Sequence, residues 1–234
     1  MCPRLSGRLR EAEELVTDAT ALRKQAALAA TQGECYGRLG ENELSIAAFR
    51  RQGGLYRRAG AELGEYLALG NVGSAQLEAG EIDAAIESLR KAVDGLRRIN
   101  APYGQGFRVS MLSIALALRG DAVDTFALAR EAFDQLRALS ATSGPVLAAA
   151  LDHARRNDLR RAVLLRRLRT QPAKKTPAPV CLPVLLQVHH RVRDRALVEH
   201  SAAAIETWLR AGERLTEAQV AAIAFDDAQL DGLP

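Results

Sequence analysis

Apolar residues recur along the chain at the spacing of α-helices rather than with the alternation of β-strands. The segment 69–93 shows this best, because Ile82, Ile86, Leu89 and Val93 lie three or four residues apart. Such spacing places the apolar side chains on one face of a helix. Alternation of Val, Ile or Thr with polar residues is almost absent. The pattern therefore predicts an all-α protein without a sheet.

Glycines interrupt the helical pattern at intervals of forty residues, at Gly40, Gly80 and Gly120. The surrounding sequences are similar: LGENELSIAAF (39–49), AGEIDAAIESL (79–89) and RGDAVDTFALA (119–129). Each reads as a turn, an acidic residue and an amphipathic run. Glycine adopts the left-handed conformation that ends many helices, and carboxylates favour the start of the next helix. A fixed period of this length predicts a stack of helical hairpins.

The middle copy has a large residue, a small residue, Gly at the turn, and then Ala, a large residue and Ala. These places are held by Leu69, Gly73, Gly80, Ala85, Leu89 and Ala92. The pattern resembles the tetratricopeptide repeat, and the resemblance covers roughly residues 20–170. It implies a right-handed superhelical array of about four antiparallel hairpins. Because the period is 40 instead of the 34 of that repeat, longer helices are expected in each hairpin.

Four parts follow from this pattern. A lead-in helix covers 1–19, the repeat array covers 20–169, and a fourth, weaker repeat within the array has Asn157 at its turn. Four prolines break any helix in the linker 170–183. A C-terminal helical cap then covers 184–234, where Thr216 and Gln219 predict a capping box.

The end of the chain carries a second resemblance. The matching residues are Trp208, Ala211, Gly212, Leu215, Thr216, Glu217 and Ala221. They are similar to the end of the C-terminal tetratricopeptide region of large bacterial ATPase-type transcriptional regulators. The sequence lacks the GxxxxGK[ST] phosphate-binding loop of such regulators, so ATPase activity is not expected. The resemblance implies a detached regulatory sensor or scaffold portion.

Tetratricopeptide arrays bind partners in a concave groove lined by the first helix of each hairpin. The residue two positions before the small residue commonly bonds a bound peptide backbone, and here it is Asn71, whose amide both donates and accepts. By helical spacing the same groove is expected to contain Glu34, Arg38, Ser74, Glu78, Phe107, Met111 and Ile114. Two alternatives stay open: Asn71 braces the next helix, and the three apolar residues belong to the core.

Positive charge is concentrated in 154–175, which contains seven Arg, two Lys and one Asp. Arg155, Arg156, Arg160 and Arg161 are candidates for a phosphate or nucleic-acid patch. Leu159, Ala162, Val163, Leu165 and Leu168 are interleaved with them at helical spacing. The favoured interpretation is therefore an amphipathic helix with a solvated arginine face.

Other chemistry has little support in the sequence. Cys2, Cys35 and Cys181 are few and far apart, which favours a reducing cytoplasm over a disulfide framework. The four histidines show no metal-ligand spacing, so neither a metal nor a cofactor is expected. No apolar stretch is long enough to span a membrane.

The favoured function is a non-catalytic, cytoplasmic scaffold that binds a protein or peptide in its groove. One alternative is nucleic-acid binding through 154–175, and the other is a small-molecule sensor with its ligand between array and cap.

Overall fold

The computed structural model describes residues 3–139, 141–165 and 182–226. These residues are mostly helical and include no β-strand, so the all-α prediction is confirmed for them. The α-helices are α1 Pro3–Leu39, α2 Asn42–Arg58, α3 Glu62–Glu78, α4 Ile82–Arg98, α5 Pro102–Arg119, α6 Ala122–Leu136, α7 Ser143–Arg155, α8 Leu159–Leu165, α9 Leu182–Glu199, α10 Ala202–Glu213 and α11 Glu217–Phe225. A short 3-10 helix, Arg137–Leu139, follows α6.

The turns from α1 to α6 share one geometry. A residue with positive φ closes each turn, in order Gly40, Gly60, Gly80, Asn100 and Gly120. The N–H of the following residue donates to the carbonyl five positions earlier, as in the bond of 2.9 Å from Glu81 to Gln76. This is the Schellman arrangement, and asparagine tolerates its left-handed position. The period of forty therefore consists of two steps of twenty, one per helix.

Helices that follow each other pack as antiparallel pairs, and small residues let them approach closely. A Cβ atom at Gly73 would lie 2.6 Å from Cγ of Leu89, and one at Gly33 would lie 2.7 Å from Cε1 of Phe49. The two pairs are forty residues apart, so they are equivalent contacts in successive hairpins. Ala85 is fully buried. The predicted close approach at Gly73 and Ala85 is confirmed.

The main core surrounds α7, whose residues from Gly144 to Ala154 are all buried. This helix contacts α5, α6, α8, α9 and α11. On α4 the predicted inward residues Ile86, Leu89 and Val93 are buried and join the same core. The largest apolar cluster thus lies where the hairpins meet the C-terminal helices.

The pairing of consecutive helices weakens after α8. Helix α9 packs on α7 and α8, whereas its contacts with α10 and α3 are slight. Helix α10 lies against α8 so closely that a Cβ at Gly212 would lie 2.3 Å from the carbonyl oxygen of Leu164. Helix α11 packs on α6, α7 and α8 and begins with the predicted capping box of Thr216 and Gln219.

Two predicted boundaries fall inside helices. Helix α1 runs for 37 residues without a break, so the boundary placed between 19 and 20 lies in its middle. Helix α9 begins at Leu182, so the last two residues of the predicted linker are helical. The rest of the linker, with Cys181, lies outside the described residues.

Candidate functional site

Asn71 lies on the predicted helix, α3, and is held there by two neighbouring helices. Its Oδ1 accepts a hydrogen bond of 2.7 Å from Nη2 of Arg108 on α5. Its Nδ2 donates to Oε1 of Gln52 on α2 at 3.4 Å. Arg108 also donates to the carbonyl of Leu67 at 3.0 Å. Bracing, the alternative role considered for Asn71, is therefore present in the structure.

Gly70 makes room for this network. A Cβ atom there would lie 2.5 Å from Nε of Arg108, so only glycine lets the arginine lie flat across α3. Neither Arg108 nor Gln52 is found by the repeat pattern, because both lie on other helices. Gln52 is a buried polar residue, and a polar residue at an inward position of α2 is the feature of the sequence that could have indicated this network.

The three apolar residues predicted for the groove differ in exposure. Phe107 is 40% exposed, and Met111, one turn further along α5, is half-buried against the main core. Ile114 is fully buried. Ile114 therefore belongs to the core and lines no surface, which corrects the prediction for that residue.

The polar residues predicted for the groove on α1 and α3 also differ in exposure. Ser74 is half-buried and donates to the carbonyl of Gly70 at 3.1 Å. Glu78 is half-buried, and its carbonyl accepts from Nδ2 of Asn42 at 3.4 Å. Glu34 and Arg38 are exposed on α1. Of the predicted residues on α3, Asn71 thus contacts α5 through Arg108, which follows Phe107 in the chain. We call Asn71, Ser74, Phe107, Arg108 and Met111 the α3–α5 face.

Helix α9 lies mainly on α7 and α8, and its contact with α3 is slight. A narrow apolar stripe of Val188, Val192 and Ala196 is buried, whereas most of its other described side chains are exposed. The exposed side chains include charged residues and the apolar Leu197 and Val198.

The four described arginines of the basic segment do not form the predicted solvated face. Arg156 is exposed, but its Nε lies 2.8 Å from Oδ2 of the buried Asp152, and its guanidinium lies 5.6 Å from the ring centroid of Phe126. Arg161 pairs with Asp158 at 3.3 Å, with only 16% of its side chain exposed. Arg155 donates to the carbonyl of Leu118 at 3.3 Å.

Arg160, the fourth candidate of this patch, is half-buried. Arg155 contacts α5 and Arg156 contacts α6, so the sequence interpretation of a solvated face is corrected for these two arginines. The part of the basic segment beyond Leu165 lies outside the described residues.

Replacing Arg155, Arg156, Arg160 and Arg161 together by Gln is therefore expected to destabilise the fold. Loss of Arg156 alone leaves the buried carboxylate of Asp152 without its cation, at a cost of about 1–3 kcal/mol. Thermal unfolding followed by circular dichroism measures the change. Gln at the exposed Arg193 and Arg210 is the control and should leave the midpoint nearly unchanged. Equal midpoints for both variants would restore the solvated-face interpretation.

His153 is buried and links α7 to the end of α11. Its Nε2 lies 3.1 Å from the carbonyl oxygen of Ala224, and Nδ1 lies 3.9 Å from Oδ2 of Asp158. Burial lowers the pKa of His153 despite these acceptors. His190 and His200 are exposed elsewhere, and the described residues include no group of three metal-ligating side chains.

Stability is expected to fall between pH 7 and pH 5 because of His153. The unfolded histidine binds a proton below about pH 6.5, whereas the folded one resists protonation because its pKa is lowered. The folded state therefore loses stability as the pH falls, by about 1 kcal/mol for each unit of pKa depression. Urea unfolding at both pH values should show a smaller loss for His153→Gln than for the wild type. An identical loss would contradict this assignment.

No protein-family model and no curated protein gives a match to the chain. Within the described residues no helix is long and apolar enough to cross a membrane.

Proposed function

We propose that the protein is a tetratricopeptide-like array that binds a protein or peptide on the α3–α5 face and catalyses no reaction. The observation that carries the proposal is the exposure of Phe107. Every other aromatic residue whose side chain is described is buried or half-buried. An exposed aromatic ring beside a half-buried methionine is the composition of an interaction hot spot.

The polar residues beside Phe107 support the same proposal. Arg108 and Asn71 form a braced pair at the edge of the apolar strip. Such bracing fixes the side chains before a partner binds, which lowers the entropy cost of binding. One amide hydrogen of Asn71 and one lone pair of its Oδ1 stay available for a partner backbone. The face thus combines an apolar anchor with preorganised polar groups.

The equal spacing of the turns supports the array itself. Helices α2, α3 and α4 each have 17 residues and are joined by turns of one geometry. Identical steps stack helices of equal length into an extended surface, and such surfaces commonly bind partners. In this proposal the chain acts as a regulatory scaffold of the cytoplasm, like the C-terminal region of the bacterial regulators that it resembles.

The experiment is affinity capture followed by titration of the captured protein. Wild-type protein is compared with Phe107→Glu and with Arg97→Glu, a change on α4 that replaces the exposed ion pair with Glu131 by two like charges. Binding lost in the first variant and kept in the second supports the proposal. Binding that is lost with Arg97→Glu and kept with Phe107→Glu would place the interaction surface on α4 instead.

A further inference from the structure

Successive hairpins of the array stack through contacts between α2 and α3. A Cβ atom at Gly64 on α3 would lie 2.6 Å from Cγ of Tyr56 on α2. A Cβ atom at Gly53 on α2 would lie 3.5 Å from Cβ of Ala68 on α3. Ala75 belongs to an apolar cluster that spans the same two helices. Positions 64, 68 and 75 therefore lie on the face of α3 that the preceding hairpin covers.

The equivalent face of α1 is not covered by the described residues. The hairpin of α1 and α2 has the same internal packing forty residues earlier, so the equivalent residues are Lys24, Leu28 and Cys35. All three are exposed, and Leu28 is 58% exposed whereas Ala68 is fully buried. Leu39, one turn beyond Cys35, is 74% exposed. We call Lys24, Leu28, Cys35 and Leu39 the end stripe. Terminal repeats normally present a polar outer face, so two exposed leucines indicate that a partner covers this one.

The opposite end of the array is already covered. The last hairpin consists of α7 and α8, and Leu159 and residues 162–165 of α8 are all buried. Helices α9, α10 and α11 pack on α8. A second copy therefore cannot place α8 on the end stripe in the way that α2 lies on α3. Pairing of two end stripes stays possible, and such pairing of identical surfaces closes after two copies.

The charges around the end stripe favour one direction of pairing. The exposed charged residues near its start are Arg23 and Lys24. Carboxylates outnumber cations near its end, where the exposed charged residues are Glu34, Arg38, Glu41 and Glu43. A parallel crossing of two copies of α1 would place Lys24 beside Lys24 of the other copy, which is unfavourable. An antiparallel crossing places each basic start beside the acidic end of the other copy.

We propose that the end stripe is a dimer interface, in which α1 of one copy packs antiparallel on α1 of a second copy. Leu28 and Leu39 of both copies become buried, which removes apolar surface from water. The stem of Lys24 packs over Leu39 of the other copy while its ammonium pairs with Glu41 there. The end stripe lies on α1, so the dimer does not depend on the function proposed for the α3–α5 face.

The test is sedimentation velocity of the full chain, with a reducing agent that keeps Cys35 as a thiol. We expect a particle of twice the chain mass of 25.3 kDa at high concentration and of the chain mass on dilution. A wild-type chain that keeps the single-chain mass at every concentration up to about 100 μM would overturn the proposal.

Leu28→Glu combined with Leu39→Glu should weaken association by about 30-fold or more, because it places four charges in the interface. Both side chains are exposed, so circular dichroism should show an unchanged fold. Leu197→Glu combined with Val198→Glu is the matched control, since these two apolar residues are exposed on α9. The control should form the dimer like the wild type. Loss of the dimer in the control and not in the α1 variant would overturn the proposal.

A charge exchange tests the antiparallel direction. Lys24→Glu alone and Glu41→Lys alone should each weaken association by about tenfold, because each brings like charges together at both ends of the interface. The two substitutions combined should restore it, since the pair is re-formed with its signs exchanged. Association that stays as weak in the combined variant as in the single variants would overturn the antiparallel pairing.

Discussion

Gly73→Leu is expected to lower the unfolding midpoint more than any other single change considered for this protein. A Cβ atom at residue 73 would lie 2.6 Å from Cγ of Leu89 and 3.2 Å from the carbonyl oxygen of Ala85. Leu89 is fully buried, so it has no solvent space into which to move. Helices α3 and α4 must therefore separate. Overpacking of this kind costs about 1–3 kcal/mol or more, which corresponds to roughly 2–12 °C in a chain of this size.

Gly54→Ala is the matched control for this prediction. Gly54 lies within α2, has ordinary helical φ, and a Cβ atom there would meet nothing within 4 Å. Alanine should stabilise the helix by about 0.5–1 kcal/mol through its higher propensity. Both variants are compared by circular dichroism at rising temperature. Should Gly73→Leu unfold at the same temperature as the wild type, the contact of α3 with α4 is wrong.

Phe107→Glu combined with Met111→Glu is expected to abolish most of the affinity for the partner. Two charges replace the apolar strip of the α3–α5 face, and a charge buried in an interface without a counterion is costly. Truncation of a hot-spot residue typically costs about 2 kcal/mol or more, so a loss of about 30-fold or greater is expected. Isothermal titration of the captured partner measures it. Phe107 is 40% exposed, so its single substitution should change the midpoint little.

Asn71→Ala is expected to affect both stability and binding. It removes the hydrogen bonds to Arg108 and Gln52 along with any bond to a partner. Stability should therefore fall with affinity, in contrast to Phe107→Glu. The sequence had left both roles of Asn71 open, bonding a partner backbone and bracing the next helix.

The helices and their turns could be predicted from sequence because each depends on residues that are close along the chain. Gly40, Gly80 and Gly120 supply the left-handed conformation that their own turns require. The intermediate step of the repeat was missed because Asn100 replaces a glycine there and Gly60 lies between runs of arginine and alanine. Local chemistry thus predicts the hairpins, but only the backbone reveals that helices α2 to α5 follow one step of twenty residues.

The site could be predicted only in part, because its contacts join distant segments. Asn71 pairs with an arginine 37 residues away, and Arg156 lies over the ring of Phe126. Helical periodicity predicts on which face of its helix a residue lies. It does not predict which neighbouring helix packs against that face. For the same reason Ile114 was assigned to the groove although it is covered completely. The approach of α9 to α3 has no signal in the sequence of either helix.

Site-specific photo-crosslinking tests the binding role of the α3–α5 face most directly. A photoreactive phenylalanine analogue is placed at position 107 in one sample and at the exposed position 94 on α4 in another. After irradiation in the native lysate, we expect one specific crosslinked protein from position 107, which excess unlabelled wild-type chain competes away, and none from position 94. The same protein crosslinked from position 94 and not from position 107 would contradict it.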